Sequence, residues 1–261
     1  MEVHHHPKVE KKNFKEYFLE FLMMFLAVTM GFFAESYREH IVEHNREKEY
    51  MKEVVANLKY DTLRCSVNAI TNVQVESGFD SLREELKKAI HGNVNTNALY
   101  YFELKYGINF GQAVFNTSAI TELKNSGSLR LIENKQLVSD MADYYERKIY
   151  ATETFLPTGK ATALQSMLNE FFSLIDLDDY VQSFDEMSRE TYSNVYDYKN
   201  ILEHEPPLRL LNSNPPDLER LYTQISLFEA AIKNYNFWLH LDKAAAEKLI
   251  TDIQKEYNLE N

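Results

Sequence analysis

Residues 21–34 read FLMMFLAVTMGFFA, an uncharged run, and residues 36–61 continue as SYREHIVEHNREKEYMKEVVANLKYD, rich in Glu, Arg and Lys. No Pro lies between Pro7 and Pro157 and no Gly between Gly31 and Gly78, so nothing forces a helix begun in the first stretch to stop before the second. The pair reads as a membrane helix that runs on into solvent. Extending the apolar run back through Tyr17, Phe18 and Leu19 adds a turn interrupted only by Glu20. Seventeen or eighteen residues at roughly 1.5 Å each give about 26 Å, near the short end of what spans a bilayer core. Tyr17 and Tyr37 suit the interfaces, and Lys15 and Arg38 can reach outward to water. We therefore divide the chain into a tail (1–16), a transmembrane helix (17–37) and an extramembranous helical domain (38–261).

Two other readings compete. A charged start before an apolar run also describes a cleaved signal peptide, although GFFAESYREH lacks small residues at A-x-A spacing. An uncharged run of this length also suits a buried core helix. Orientation rests on Lys8, Lys11, Lys12 and Lys15, which crowd the short tail slightly more than Arg38, Arg46, Lys48 and Lys52 crowd the other flank. That favours the N-terminus inside and the domain outside.

Within the span, Ala27 and Gly31 are four apart and share a helix face, the small-xxx-small spacing that lets two membrane helices approach closely. Glu20 is an ionisable group that interrupts the apolar run near its start. It is a functional candidate by default, but it lies close enough to the end to be an interfacial carboxylate reaching headgroup water.

Beyond the membrane, Met51, Val55, Leu58, Thr62, Cys65, Ala69 and Val73 recur at steps of three and four, a heptad seam of small or mildly polar members. Cys65 on that seam reads as a small buried hydrophobe. The C-terminal signal is stronger. After Pro215-Pro216, with Asp217 as the expected cap, Leu218, Leu221, Ile225, Phe228, Ile232, Tyr235, Leu239, Ala246, Leu249 and Ile253 keep the same rhythm. Asp242 interrupts it and is expected either to form a polar layer or to face solvent, the latter preferred. Two long patterned helices at opposite ends of a domain pair most simply antiparallel. The expected fold is all-α: the transmembrane helix continues into an elongated antiparallel bundle with coiled-coil-like long helices. Between them we expect a helix from Phe79 to Ile90 stopped by Gly92, another from Thr96, and a pair broken at Ser126-Gly127 with the second capped near Glu133 or Asn134. Further on, a reset at Pro157 and Gly159 precedes an acidic, Tyr-rich cap over 176–216.

Composition narrows the function classes. Apolar residues make up 44% and charged residues 26%, which is ordinary for a globular chain. A net charge of −12 argues against nonspecific binding to nucleic acid. One cysteine allows neither an internal disulfide nor a thiolate metal site. There is no P-loop, G-x-G-x-x-G, G-x-S-x-G or H-E-x-x-H. His4, His5 and His6, and separately His40 and His44, lack carboxylate or Cys partners at ligand spacing, so we expect solvated side chains. Asp176, Asp178 and Asp179 lack the Gly and the closing Glu of a calcium loop. The tyrosines at 100, 101, 144, 145, 192, 196 and 198 could line a pocket, although packing with the hydroxyl at the edge is the commoner use. We expect no cofactor, no metal and no enzymatic activity.

The sequences HHHPKVEKKNFKEYFLEFLMMFLAVTMGFFAESYREH (4–40), REKEYMKEVVANLKYDT (46–62) and NTSAITELKNSGSLRLIENKQLVSDMADYYE (116–146) resemble a family of single-pass envelope proteins of Bacteroidota built around a domain of unknown function. The resemblance implies an inner-membrane anchor and transfers no catalytic or binding residues. Together these readings lead us to expect a membrane-anchored scaffold or interaction module, self-associating or bound to another membrane protein. The alternative is an extracytoplasmic sensor or ligand-binding bundle that acts through a separate partner.

Overall fold

The computed structural model describes residues 13–173 and 199–259; His4, His5, His6, Asp176, Asp178, Asp179, Tyr192, Tyr196 and Tyr198, considered above, lie outside the described residues. Among the described residues every regular element is helical. Helix α1 runs unbroken over Phe14–Ile90, 77 residues, and ends where Gly92 takes a positive φ of 87°. The stretch from Phe79 is thus the last part of α1 and not a separate helix. Gly78 is tolerated there because it makes room: a Cβ would lie 2.1 Å from the Tyr106 ring.

Helix α2 (Thr96–Tyr106) is capped by the Asn95 side chain, which accepts from Ala98 N–H. A strap without regular secondary structure, 109–117, leads to α3 (Ser118–Asn125). Gly127, at φ 69°, turns the chain through a short 3-10 turn into α4 (Lys135–Ala142), where Asn134 accepts from the Gln136 and Leu137 N–H groups. A π-helical turn over Asp143–Lys148 joins α4 to α5 (Ile149–Thr154). Helices α6 (Thr158–Phe171) and α7 (Lys199–Leu202) follow, and α8 (Pro215–Tyr257) spans 43 residues. The cap of α8 sits three residues before the expected one. Asn214 is the N-cap, Pro215 and Pro216 form the first turn, and Asp217 accepts from the Asn212 and Asn214 side chains.

Side-chain partners fix α1 and α8 as antiparallel. Glu47 meets Tyr257, Asn72 meets Asn236, and Arg83 meets Glu229. Every apolar member of the α8 seam is buried. On α1, Met51, Val55, Leu58, Cys65 and Ala69 are buried as the spacing requires, but Val73 is 58% exposed and Asn72 takes the next seam position. Asp242, preferred above as solvent-facing, is fully buried: it lies three residues after Leu239 and four before Ala246, in register.

The interior consists of two apolar cores joined by a polar waist. Nearer the apolar N-terminal segment, Met51, Val54, Leu58, Leu123, Met141, Tyr144, Leu249 and Ile253 pack together. At the far end Phe79, Leu82, Leu86, Leu99, Tyr100, Leu168, Phe171, Leu221 and Phe228 do the same. Between them the apolar contribution shrinks to Cys65, Ala69, Ala113, Tyr235 and Leu239. Below residue 47 α1 stands alone, and the exposed stretch from Arg38 to Arg46 gives a stalk of roughly 13 Å at 1.5 Å per residue.

Candidate functional site

The apolar part of α1 holds an 18-residue window of mean hydropathy 1.8 of which 0% is buried within the chain. That overturns the reading as a buried core helix. It also makes α1, among the described residues, the one helix long and apolar enough to cross a membrane. Phe21, Met23, Met24, Phe25, Phe32 and Phe33 are all more than half exposed, a surface that water does not tolerate at this extent. Glu20, Ala27 and Gly31 are exposed as well. Leu19, Glu20, Met23, Met24 and Ala27 line one shallow groove along the helix, which brings two of the three sequence candidates onto one surface. A Cβ at Gly31 would meet nothing within 4 Å, so no contact inside the described chain requires Gly there.

The second concentration of chemistry is the waist, which the sequence motifs did not single out. The strap is held to it by side chains. Asn72 Nδ2 donates to the Gly111 carbonyl at 3.1 Å and to Asn236 Oδ1 at 2.9 Å, and Gly111 N–H donates back to Asn72 Oδ1 at 2.6 Å. Ala113 N–H donates to Tyr235 Oη at 3.0 Å, and Asn116 N–H donates to Asp61 Oδ1 at 2.8 Å. The strap passes so close to α1 that a Cβ on Gly111 would lie 2.7 Å from the Asn68 carbonyl oxygen. Side chains thus stand in for the ladder a strand would have, which keeps the strap's buried backbone groups satisfied.

Asp61 is fully buried and has both oxygens engaged, the second by the Tyr144 hydroxyl at 2.9 Å. The π turn presents Tyr144 and Tyr145 side by side to the interior, their rings edge-to-face at 4.9 Å. Asp242 accepts from Thr152 Oγ1 at 2.5 Å, while its Oδ1 is buried without a hydrogen-bond partner. Burial pushes the Asp61 carboxyl up to about 6; the Asn116 N–H and Tyr144 hydroxyl oppose the shift, and the nearby Asp242 charge adds to it. Burial also pushes Asp242 up to about 6, against the pull of Thr152 and Lys148. The Cys65 thiol is raised to about 12, chiefly by burial and then by Asp242 and Asp61, so it is an inert packing group and not a nucleophile.

Beside this cluster lies a cavity of about 360 Å³ lined by Gln112, Val114, Phe115, Thr152, Leu156 and Tyr235. Among the described tyrosines, those at 100, 144 and 145 pack, the commoner use, and do not line this cavity. Tyr100 is buried and ties down 203–211 by donating to the Arg209 carbonyl at 2.9 Å, and Tyr144 and Tyr145 are core residues. Only Tyr235, a seam residue of α8, reaches the cavity. Its signal in the sequence was the heptad alone. His40 and His44 are exposed, and no group of three or more His, Cys, Asp or Glu side chains that could hold a metal occurs among the described residues.

Comparison of the chain with family models, with curated proteins and with solved structures gave no match. The geometry defines the class: an all-α protein with one candidate membrane helix that is continuous with the spine of its folded domain.

Proposed function

We propose that this protein is a membrane-anchored helical scaffold, a self-associating interaction module that holds its domain at a fixed distance from the bilayer. The observation that carries the reading is the continuity of α1. One 77-residue helix is both the anchor and the spine against which α8 packs, so the domain cannot swivel freely on its anchor. The helical stalk keeps the bundle off the headgroups, and α8 returns the chain to the stalk at Tyr257 and Glu47. The membrane is proposed to be a bacterial inner membrane, with the tail in the cytoplasm and the domain in the periplasm. The lysine-rich tail and the resemblance to envelope proteins of Bacteroidota support this placement. The partner would be the lipid bilayer together with a second copy or another membrane protein.

The mass and composition of the detergent-extracted native complex, by light scattering with mass spectrometry, test the proposal. A discrete homo-oligomer or a constant partner is expected. A monomer with no partner would refute it. The waist cavity, with Thr152 and the unpaired Asp242 oxygen behind it, favours a second reading, a ligand-binding bundle signalling through a separate protein. A monomer would shift the weight to that reading.

A further inference from the structure

The waist is inverted. Where the interior is poorest in apolar side chains, the part of α1 within the domain exposes several: Leu63 (60% exposed) and Val67 (46%) lie opposite the face that carries Cys65 and Asn72, flanked by Tyr60 (45%), Ile70 (62%) and Val73 (58%), a stripe about 20 Å long whose Ile70 and Val73 edge borders α8. Beside the stripe, Ile70 and Val73 line an open groove of about 210 Å³ shared with Leu239, His240 and Lys243 of α8. At 100° per residue, Ala27, Gly31, Ala34, Leu63, Val67 and Ile70 all fall within an arc of about 60° on α1. Cys65 and Asn72, which face the bundle interior, lie on the opposite side. Leu63 follows Ala27, and Val67 follows Gly31, by about ten full turns of one unbroken helix.

We infer that this face of α1 is a parallel interface for a second copy of the same chain, continuous from the membrane segment to the waist; the inference rests on the scaffold reading above. Two copies in one bilayer with the same orientation stand parallel, so identical residues meet across a two-fold axis. A face that repeats every 3.6 residues keeps two straight helices side by side without a supercoil. Small residues set a close approach in the membrane, and Leu63, Val67 and Ile70 fit the slightly wider spacing beyond it. The stripe offers on the order of 400 Å² of apolar surface per copy, a size at which patches mark interaction sites. A stable interface takes about 800 Å² per partner, so the membrane portion must supply the rest. Between the two portions the face carries Glu35 with Arg38 and Glu49 with Lys52, opposite charges three residues apart. Each copy can share these pairs diagonally with its twin.

The test uses the full chain in phospholipid vesicles. In a Cys65→Ala background, single cysteines replace Leu63, Val67 or Ile70, or Glu219 or Glu247 as exposed controls on α8. Mild oxidation is expected to give at least fivefold more disulfide-linked dimer at 63, 67 and 70 than at either control. Leu63→Asp with Ile70→Asp, checked for retained helicity, is expected to cut dimerisation of the unlinked chain at least tenfold. An oligomer that cross-links equally well or better at the controls, or that survives the double substitution, overturns this interface and leaves the scaffold reading standing. A chain monomeric under all conditions overturns this interface and, with it, the self-association in the scaffold reading, leaving a different membrane protein as the scaffold's partner.

Discussion

Replacing Asp61 by Asn should stabilise the protein at neutral pH and leave it unchanged in acid. The Asp61 carboxyl is fully buried, and its pKa rises from the ordinary 3.8 to about 6, first through burial. Below pH 4 the carboxyl is protonated whether the chain is folded or not. Between 4 and 6 the folded protein holds a proton that the unfolded chain releases, so stability falls as pH rises through that window. Above 6 the folded state carries the full penalty of a buried charge. A shift of about two units at 1.36 kcal/mol each sets that penalty at about 3 kcal/mol. Asparagine keeps the shape, its carbonyl still accepts from Asn116 N–H, and its amide can donate to the Tyr144 oxygen in place of the present bond. At pH 7.5 Asp61→Asn should therefore unfold about 6–12 °C above the parent, the range that 3 kcal/mol implies for a domain of this size. The assay is thermal unfolding of the detergent-solubilised chain, followed by circular dichroism at pH 4, 5, 6 and 7.5. Asp242 titrates in the same window in both proteins, so the difference between their curves reports Asp61 together with its coupling to Asp242. A variant destabilised by the same amount at pH 4 and pH 7.5 would refute the argument.

Three further outcomes follow from the geometry. Gly111→Ala should cost about 1–3 kcal/mol and speed hydrogen exchange at Ala113 and Asn116, because the added methyl meets the Asn68 backbone at 2.7–2.9 Å. Asn72→Ala should cost about 1–3 kcal/mol by stranding the Gly111 and Asn236 groups it now satisfies, whereas Val73→Ser one position on should stay within about 0.5 kcal/mol; urea unfolding of the pair compares them. Gly31→Leu should leave the unfolding midpoint unchanged, since nothing in the chain approaches that position, yet lower self-association measured by energy transfer between labelled copies in vesicles.

Heptad spacing carried much of the fold. The rhythm of α8 survives from Leu218 to Ile253 because every seam side chain there except Asp242 is apolar, and their burial is the main force ordering that helix. On α1 the rhythm misled at two steps, where Asp61 is buried beside a half-buried Thr62 and Asn72 beside an exposed Val73. Val73 is the more hydrophobic residue, but Asn72 is the one whose amide completes the layer with Asn236 and Gly111. Asp242 went astray for the same reason: a carboxylate on a seam costs free energy to bury unless something offsets it. The Thr152 hydroxyl that does so lies 90 residues away in sequence. Tyr100, Tyr144 and Tyr145 took the commoner course and packed, although residue type alone says nothing about whether a ring faces a cavity or a core.

What the sequence alone determined is whatever depends on neighbours within a few turns: the apolar run, the absence of breakers between Gly31 and Gly78, the helix start at Thr96, the cap near Asn134, and the seam of α8. Helix continuity and amphipathicity are local properties, set by spacing and propensity. The tertiary structure alone decided the polar waist, the strap laid across it and the apolar exterior of α1 beside it. Those depend on which distant groups desolvate one another, and hydrogen bonds such as Tyr144 to Asp61 or Asn236 to Asn72 exist only once the two long helices have paired.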